Sequence, residues 1–130
     1  MPHTGTPPRF SLAWRRSVFA ICLSVSIAVL FTPAPDVPAG PRGVDKVIHL
    51  LLFAALTASG RYAGVAWRVL LPALVAYAAA SEPLQSLPPI GRSTSLADWV
   101  ADVTGVILGY VGTVARTRFR SASMSRSGSG

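Results

Sequence analysis

The chain has 130 residues, of which 51% are hydrophobic and only 13% charged, with a mean hydropathy of +0.48. Soluble domains carry about a quarter charged residues, so a chain this short could not cover its apolar surface in water, and an ordinary soluble domain is excluded. The net charge of +7 comes from 12 basic and five acidic residues. Eleven of the bases are Arg, and they gather at the ends of apolar runs and in the tails. That placement fits membrane orientation and leaves no separate basic domain to bind nucleic acid.

Residues 1–16 are polar and rich in Pro and Gly, ending in Trp14-Arg15-Arg16. They read as a disordered cytoplasmic segment closing on a membrane boundary. The first apolar run is Val18 to Thr32, and it holds the single cysteine, Cys22. One cysteine allows no internal disulfide and no cysteine metal motif, so Cys22 reads as a small packing or lipid-facing residue. Pro33, Pro35, Pro38 and Pro41 end this run. Arg15-Arg16, the apolar core and Val37-Pro38-Ala39 also resemble the parts of a secretory signal, whose cleavage would leave three helices.

The second run goes from Val44 to about Ser59 and opens with Asp45, Lys46 and His49. After a short link with Gly60, Arg61 and Gly64, the third run covers Val65 to Ala80. A polar, Pro-rich stretch, Ser81 to Thr94, contains Glu82, Gln85 and Arg92. The fourth run, Leu96 to Val114, carries Asp98, Asp102, Gly105 and Gly109. The tail from Arg116 to Gly130 has Arg, Ser and Gly but no acid, and reads as disordered.

These features predict an all-α integral membrane protein, a compact bundle of four transmembrane helices over residues 17–115. Each run falls short of the ~20 residues of a typical span, so flanking polar residues must extend the helices. With the N-terminus inside, nine bases lie on the inner side (Arg9, Arg15, Arg16, Arg61, Arg68, Arg116, Arg118, Arg120, Arg126) and three on the outer (Arg42, Lys46, Arg92). The positive-inside rule then places both termini in the cytoplasm. All five acids fall on the outer side.

The polar residues near the outer face form one candidate cluster: Asp45, Lys46, His49, Glu82, Gln85, Arg92, Asp98 and Asp102. Asp45 and His49, four apart, share a helix face, as do Asp98 and Asp102. Ionisable groups within membrane helices pair with one another or line a wet cavity. Arg92 is the expected carboxylate partner, because its planar fork takes two oxygens at once. Glu82 and His49 form the expected titrating pair. Locally, Asp45 also reads as a helix N-cap, and Asp98 as an early-helix acid following Ser93, Thr94 and Ser95. Two histidines, one of them His3 near the N-terminus, make no metal site. No cofactor is indicated. Gly105-Val-Ile-Leu-Gly109 is a GxxxG pattern that lets helix backbones approach closely.

Three segments carry a resemblance. Asp45-Lys46-Val47-Ile48-His49-Leu50-Leu51-Leu52-Phe53 resembles the opening motif of the VanZ-like family of membrane proteins. Ser81-Glu82-Pro83-Leu84-Gln85, followed by Gly91-Arg92-Ser93-Thr94-Ser95-Leu96-Ala97-Asp98, resembles its second signature, and Ala101-Asp102-Val103-Thr104-Gly105 with Gly109 its close. Together these cover residues 44–112. The chain departs in carrying Asp102 where family members often have Asn, and Pro83 is positioned to kink or shorten the third helix. The resemblance implies a helical membrane domain with its polar motif toward the outer face, and a link to the bacterial cell envelope and to glycopeptide (teicoplanin-type) antibiotic resistance.

Three roles follow for the outer cluster and the glycine stripe. The cluster binds a polar headgroup or a cell-wall intermediate, or excludes a lipophilic antibiotic, with a glycopeptide antibiotic as a further candidate partner; or it is the site of an intramembrane enzyme acting on an envelope lipid, with Glu82 or His49 as general acid or base; or it only fixes helix packing, while the GxxxG face docks another membrane protein.

Overall fold

Ser11 starts the first helix, its side chain accepting from the backbone N–H of Trp14 at 3.2 Å. A serine N-cap satisfies one of the orphan donors of the first turn, so the helix begins in the polar segment ahead of the apolar run. In the computed structural model, which describes residues 10–36, 40–93 and 95–127 with side chains as far as 124, four α-helices form: α1 (Leu12–Leu30), α2 (Val44–Tyr62), α3 (Trp67–Gln85) and α4 (Leu96–Ser127). A single 3-10 turn, Ala34–Asp36, interrupts the link between α1 and α2. No strand occurs among the described residues.

Every helix outruns its apolar stretch. α2 continues through Arg61 and Tyr62 and stops at Gly64, whose φ of +90° suits a residue without a side chain. There Val65 N donates to Gly60 O and Gly64 N to Arg61 O, a pair of bonds that closes the last turn. α3 runs past Ala80 to Gln85, with Pro83 inside it. Pro83 removes only one hydrogen bond in the final turn, and the helix is not shortened. This extension moves Ser81, Glu82 and Gln85 from a loop onto a helix.

The tail departs from its compositional reading. α4 continues to Ser127 instead of becoming disordered at Arg116. Elongating an existing helix costs far less than nucleating one, and Arg, Ala and Met are good helix formers. At the other end, residues 12–16 are helical as well. His3, Arg9, the Val37-Pro38-Ala39 signal feature and Thr94 lie outside the described residues, as do the Arg126 side chain and residues 128–130.

The helices alternate in direction, and α2 and α4 form the most extensive pairing. Glycine makes this possible. A Cβ at Gly105 would run into the carbonyl oxygen of Leu50, and one at Gly109 would lie 2.7 Å from both the Ala54 carbonyl oxygen and Thr57 Cβ. The GxxxG face is therefore filled by α2 of the same chain.

A small apolar core joins the helices through Leu30, Phe53, Leu56, Leu70, Leu74 and Val106. Cys22 packs partly buried against it. The remaining interior is polar: Ser26, Thr57, Ser81, Gln85, Asp98 and Asp102 are buried. Large apolar residues point outward instead, among them Ile21, Leu51, Val69, Ile107 and Val111. α1 is the one described helix long and apolar enough to cross a membrane by length and composition. Asp45, Lys46 and Arg61 charge α2, and Arg68 and Glu82 charge α3.

Candidate functional site

Antiparallel packing brings the C-termini of α1 and α3 together with the N-termini of α2 and α4. All five acids sit at this end. Two links close it. Ala34 N donates to Ile90 O at 2.9 Å, joining the α1–α2 link to the α3–α4 link, and Arg92 N donates to Gln85 O at 3.0 Å. Gly91 takes a φ of +60°, which lets the second link fold back over the end of α3.

The centre of the site is His49 on α2 and Asp102 on α4. His49 Nδ1 stands 2.9 Å from Asp102 Oδ1, so the ring nitrogen donates to the carboxylate. The two are 3% and 0% exposed. This contact lies one turn from Gly105, where the helix backbones nearly touch. Close approach is what allows two short side chains to meet across the pair. Asp102 Oδ2 is buried without a partner, and so is Glu82 Oε1. Unpaired buried acceptors are costly, and both of these belong to carboxyl groups at the same end of the bundle. Glu82 lies within electrostatic reach of Asp98, Asp102 and His49.

One turn closer to the end, Lys46 Nζ bridges Asp45 at 3.2 Å and Asp98 at 3.1 Å. This second α2–α4 link is half-exposed. Ser95 caps α4, its Oγ accepting from Asp98 N at 3.3 Å. Asp45 lies within the first turn of α2 and does not cap it; the capping position is Gly43.

Two sequence expectations change here. Arg92 binds no carboxylate: its Nη1 donates to the carbonyl oxygens of Val29 and Leu30, at 3.1 and 3.3 Å. Gln85 Nε2 donates to the same Leu30 carbonyl at 2.9 Å. The last carbonyls of a helix have no intrahelical partner and carry partial negative charge. The buried end of α1 therefore competes successfully for the guanidinium. The partner of His49 is Asp102, not Glu82.

Removing the cap should be felt locally. Arg92→Ala is expected to cost about 2 kcal/mol, the range for hydrogen bonds from a charged donor, and to speed amide exchange in the last turn of α1. Hydrogen exchange read by mass spectrometry would check this; unchanged exchange there would mean that the cap contributes nothing.

Two clefts open onto this cluster. One, about 460 Å³, lies between the end of α1 and the start of α2, with Thr32, Arg42, Ile48, His49 and Arg92 in its wall. The other, about 240 Å³, is lined by Asp45, His49, Gln85, Arg92, Ser93 and Asp98. Asp45, His49 and Arg92 belong to both. Of the predicted cluster, Lys46 links Asp45 and Asp98, His49 pairs with Asp102, Gln85 and Arg92 hold α1, and Glu82 lies half-buried nearby. No group of three or more acids, histidines or cysteines suited to a metal occurs among the described residues.

The sequence reading missed Tyr77. Its hydroxyl lies 3.2 Å from Ser26 Oγ, joining α3 to α1, and its ring packs 5.5 Å from that of Phe53. A tyrosine amid Ala, Leu and Val was the available signal, since a buried phenol needs a partner.

The chain matches no protein-family model, no curated protein and no solved structure.

Proposed function

We propose that the chain is a VanZ-like membrane protein of the bacterial cell envelope. In this reading all four helices cross the bilayer, both termini are cytoplasmic, and the acidic end faces outward. The observation that carries the proposal is the inverted distribution of polarity. His49, Ser81, Gln85, Asp98 and Asp102 are buried in the bundle, while Ile21, Leu51, Val69 and Ile107 face outward. In lipid, polar groups gather inside and apolar ones meet the acyl chains. At 19 residues each, α1, α2 and α3 span about 28 Å, close to the ~30 Å hydrocarbon core.

The outer clefts then bind a polar ligand of the envelope. The carboxylates of Asp45 and Asp98 stand in their walls and favour a ligand rich in N–H or O–H donors. Arg92 gives only its Nη1 to α1 and stands in the walls of both clefts. A cell-wall intermediate or a glycopeptide antibiotic offers such donors, which supports a contribution to teicoplanin-type resistance by binding. The test is teicoplanin susceptibility of a bacterial host lacking the gene, complemented with the wild type or Glu82→Gln at matched membrane abundance. Protection by wild type, lost in the variant, is expected. No protection by either would remove the antibiotic link.

One observation favours a second reading, an intramembrane enzyme acting on an envelope lipid. Asp102 holds His49 by Nδ1, as a carboxylate holds a general base in a fixed tautomer, and His49 shares a cleft with Ser93. Turnover of a labelled lipid by the purified protein, abolished by His49→Ala, would establish this reading in place of binding alone.

A further inference from the structure

The opposite end of the bundle has a different chemistry. A groove of about 730 Å³ runs between the C-terminal half of α2 and α4, and α1 contributes Arg15 to it. Arg15, Arg61, Arg116 and Arg120 form its rim, with no acid among the lining residues. All three ion pairs among the described residues lie at the other end.

Two of these arginines are held in place. Arg15 lies 4.9 Å over the Tyr62 ring and donates through Nε to the Tyr62 carbonyl. Arg61 lies 4.6 Å over Trp67, and its Nη1 donates to Val65 O at 2.8 Å. The Arg61 Nε is buried without a partner. Arg116 and Arg120, one turn apart on α4, make no side-chain hydrogen bond among the described residues. The inner wall is mostly apolar, built from Ala54, Ala58, Leu108, Gly109 and Gly112, beside Thr113 and Thr117, whose hydroxyls donate to α4 carbonyls. Gly109 is pressed against α2, whereas a Cβ at Gly112 would meet nothing within 4 Å. The groove thus stays open where the rim is most basic.

We infer that this groove binds an anionic phospholipid, with the phosphodiester among the four arginines and the start of an acyl chain along the Ala–Gly wall. Charge complementarity selects the anion. The apolar wall selects a lipid over free phosphate, which would leave that wall wet. Basic pockets between membrane helices take anionic headgroups on the cytoplasmic side, and the proposed topology places this end there. The inference rests on the membrane reading for that placement.

The experiment uses the full chain in a neutral detergent, read by native mass spectrometry with phosphatidylglycerol, phosphatidylcholine or inorganic phosphate as the added probe. Wild type is expected to retain phosphatidylglycerol in preference to phosphatidylcholine. The double variant Arg116→Gln/Arg120→Gln is expected to bind it about thirtyfold more weakly. Gly112→Leu, which fills the wall and leaves every charge, should also weaken it. Arg68→Gln/Arg118→Gln, with the same loss of charge outside the groove, should not. Equal retention of the two lipids, or equal losses in the groove and control variants, would overturn the proposal. Competition by inorganic phosphate with no effect of Gly112→Leu would assign the site to a soluble anion and overturn the lipid. Carbonate extraction of cell membranes is read separately: release of the chain would sink the membrane reading, whatever the lipid titration gives.

Discussion

Gly105→Leu is expected to prevent the chain from accumulating in folded form. A side chain at this position meets the carbonyl group of Leu50, with the carbonyl carbon at 3.0 Å and Cα at 3.1 Å from the new Cβ. These are backbone atoms of a helix, so no rotamer change can relieve the overlap. α4 would have to lift away from α2, and the His49–Asp102 contact one turn away would open with it. Overpacking a tight site costs about 1–3 kcal/mol and sometimes more; collision with backbone places this case at about 3 kcal/mol or beyond. Such a loss is a large part of the 5–15 kcal/mol typical of a folded domain. Gly112→Leu, into open space on the same face, should unfold like the wild type. Membrane abundance and thermal unfolding in detergent would measure both. Normal unfolding of Gly105→Leu would mean that the stripe does not seat α4 on α2, and would return it to the role of a docking face for another protein.

The second large effect is expected at Asp102. Asp102→Leu should destabilise the protein by about 3 kcal/mol, in the range found when one partner of a buried pair is removed. The imidazole of His49 would remain buried with its Nδ1–H unpaired. Asp102→Asn keeps an acceptor for that N–H in nearly the same shape and removes a buried carboxylate. Its cost should stay near 1 kcal/mol, the net worth of an ordinary hydrogen bond. Thermal midpoints should therefore fall in the order wild type, Asn, Leu, with a wide gap before Leu. Equal midpoints for the two variants would show that the His49 contact contributes no stability.

Much of this could be read from the chain alone. The prolines from Pro33 to Pro41 and the stretch from Pro88 to Gly91 set the approximate limits of the helices. The four-residue spacings of Asp45 with His49 and of Asp98 with Asp102 put each pair on one face. Helix ends were less legible. A capping serine such as Ser11, or the continuation of α4 past Arg116, depends on a few backbone hydrogen bonds that composition does not register. The role of Arg92 is illegible for a related reason: the strength of a guanidinium–carboxylate pair is a property of residue types, whereas the competing carbonyls of Val29 and Leu30 belong to a helix terminus that only the fold locates.

By itself, the sequence determined that the chain is helical, that its charge is divided with acids at one end and most bases at the other, and that its few polar residues in apolar runs cluster at one depth. These properties follow from local preferences, periodicity and hydropathy, all written within about 20 residues of one another. Only the tertiary structure decided that His49 meets Asp102 and that Lys46 meets Asp98, across separations of 53 and 52 residues. It likewise decided that Glu82 and Asp102 are left with unpaired oxygens, and that four arginines border an open groove. Those outcomes depend on how closely two helices pack, and that distance is set by Gly105 and Gly109 against the backbone of α2.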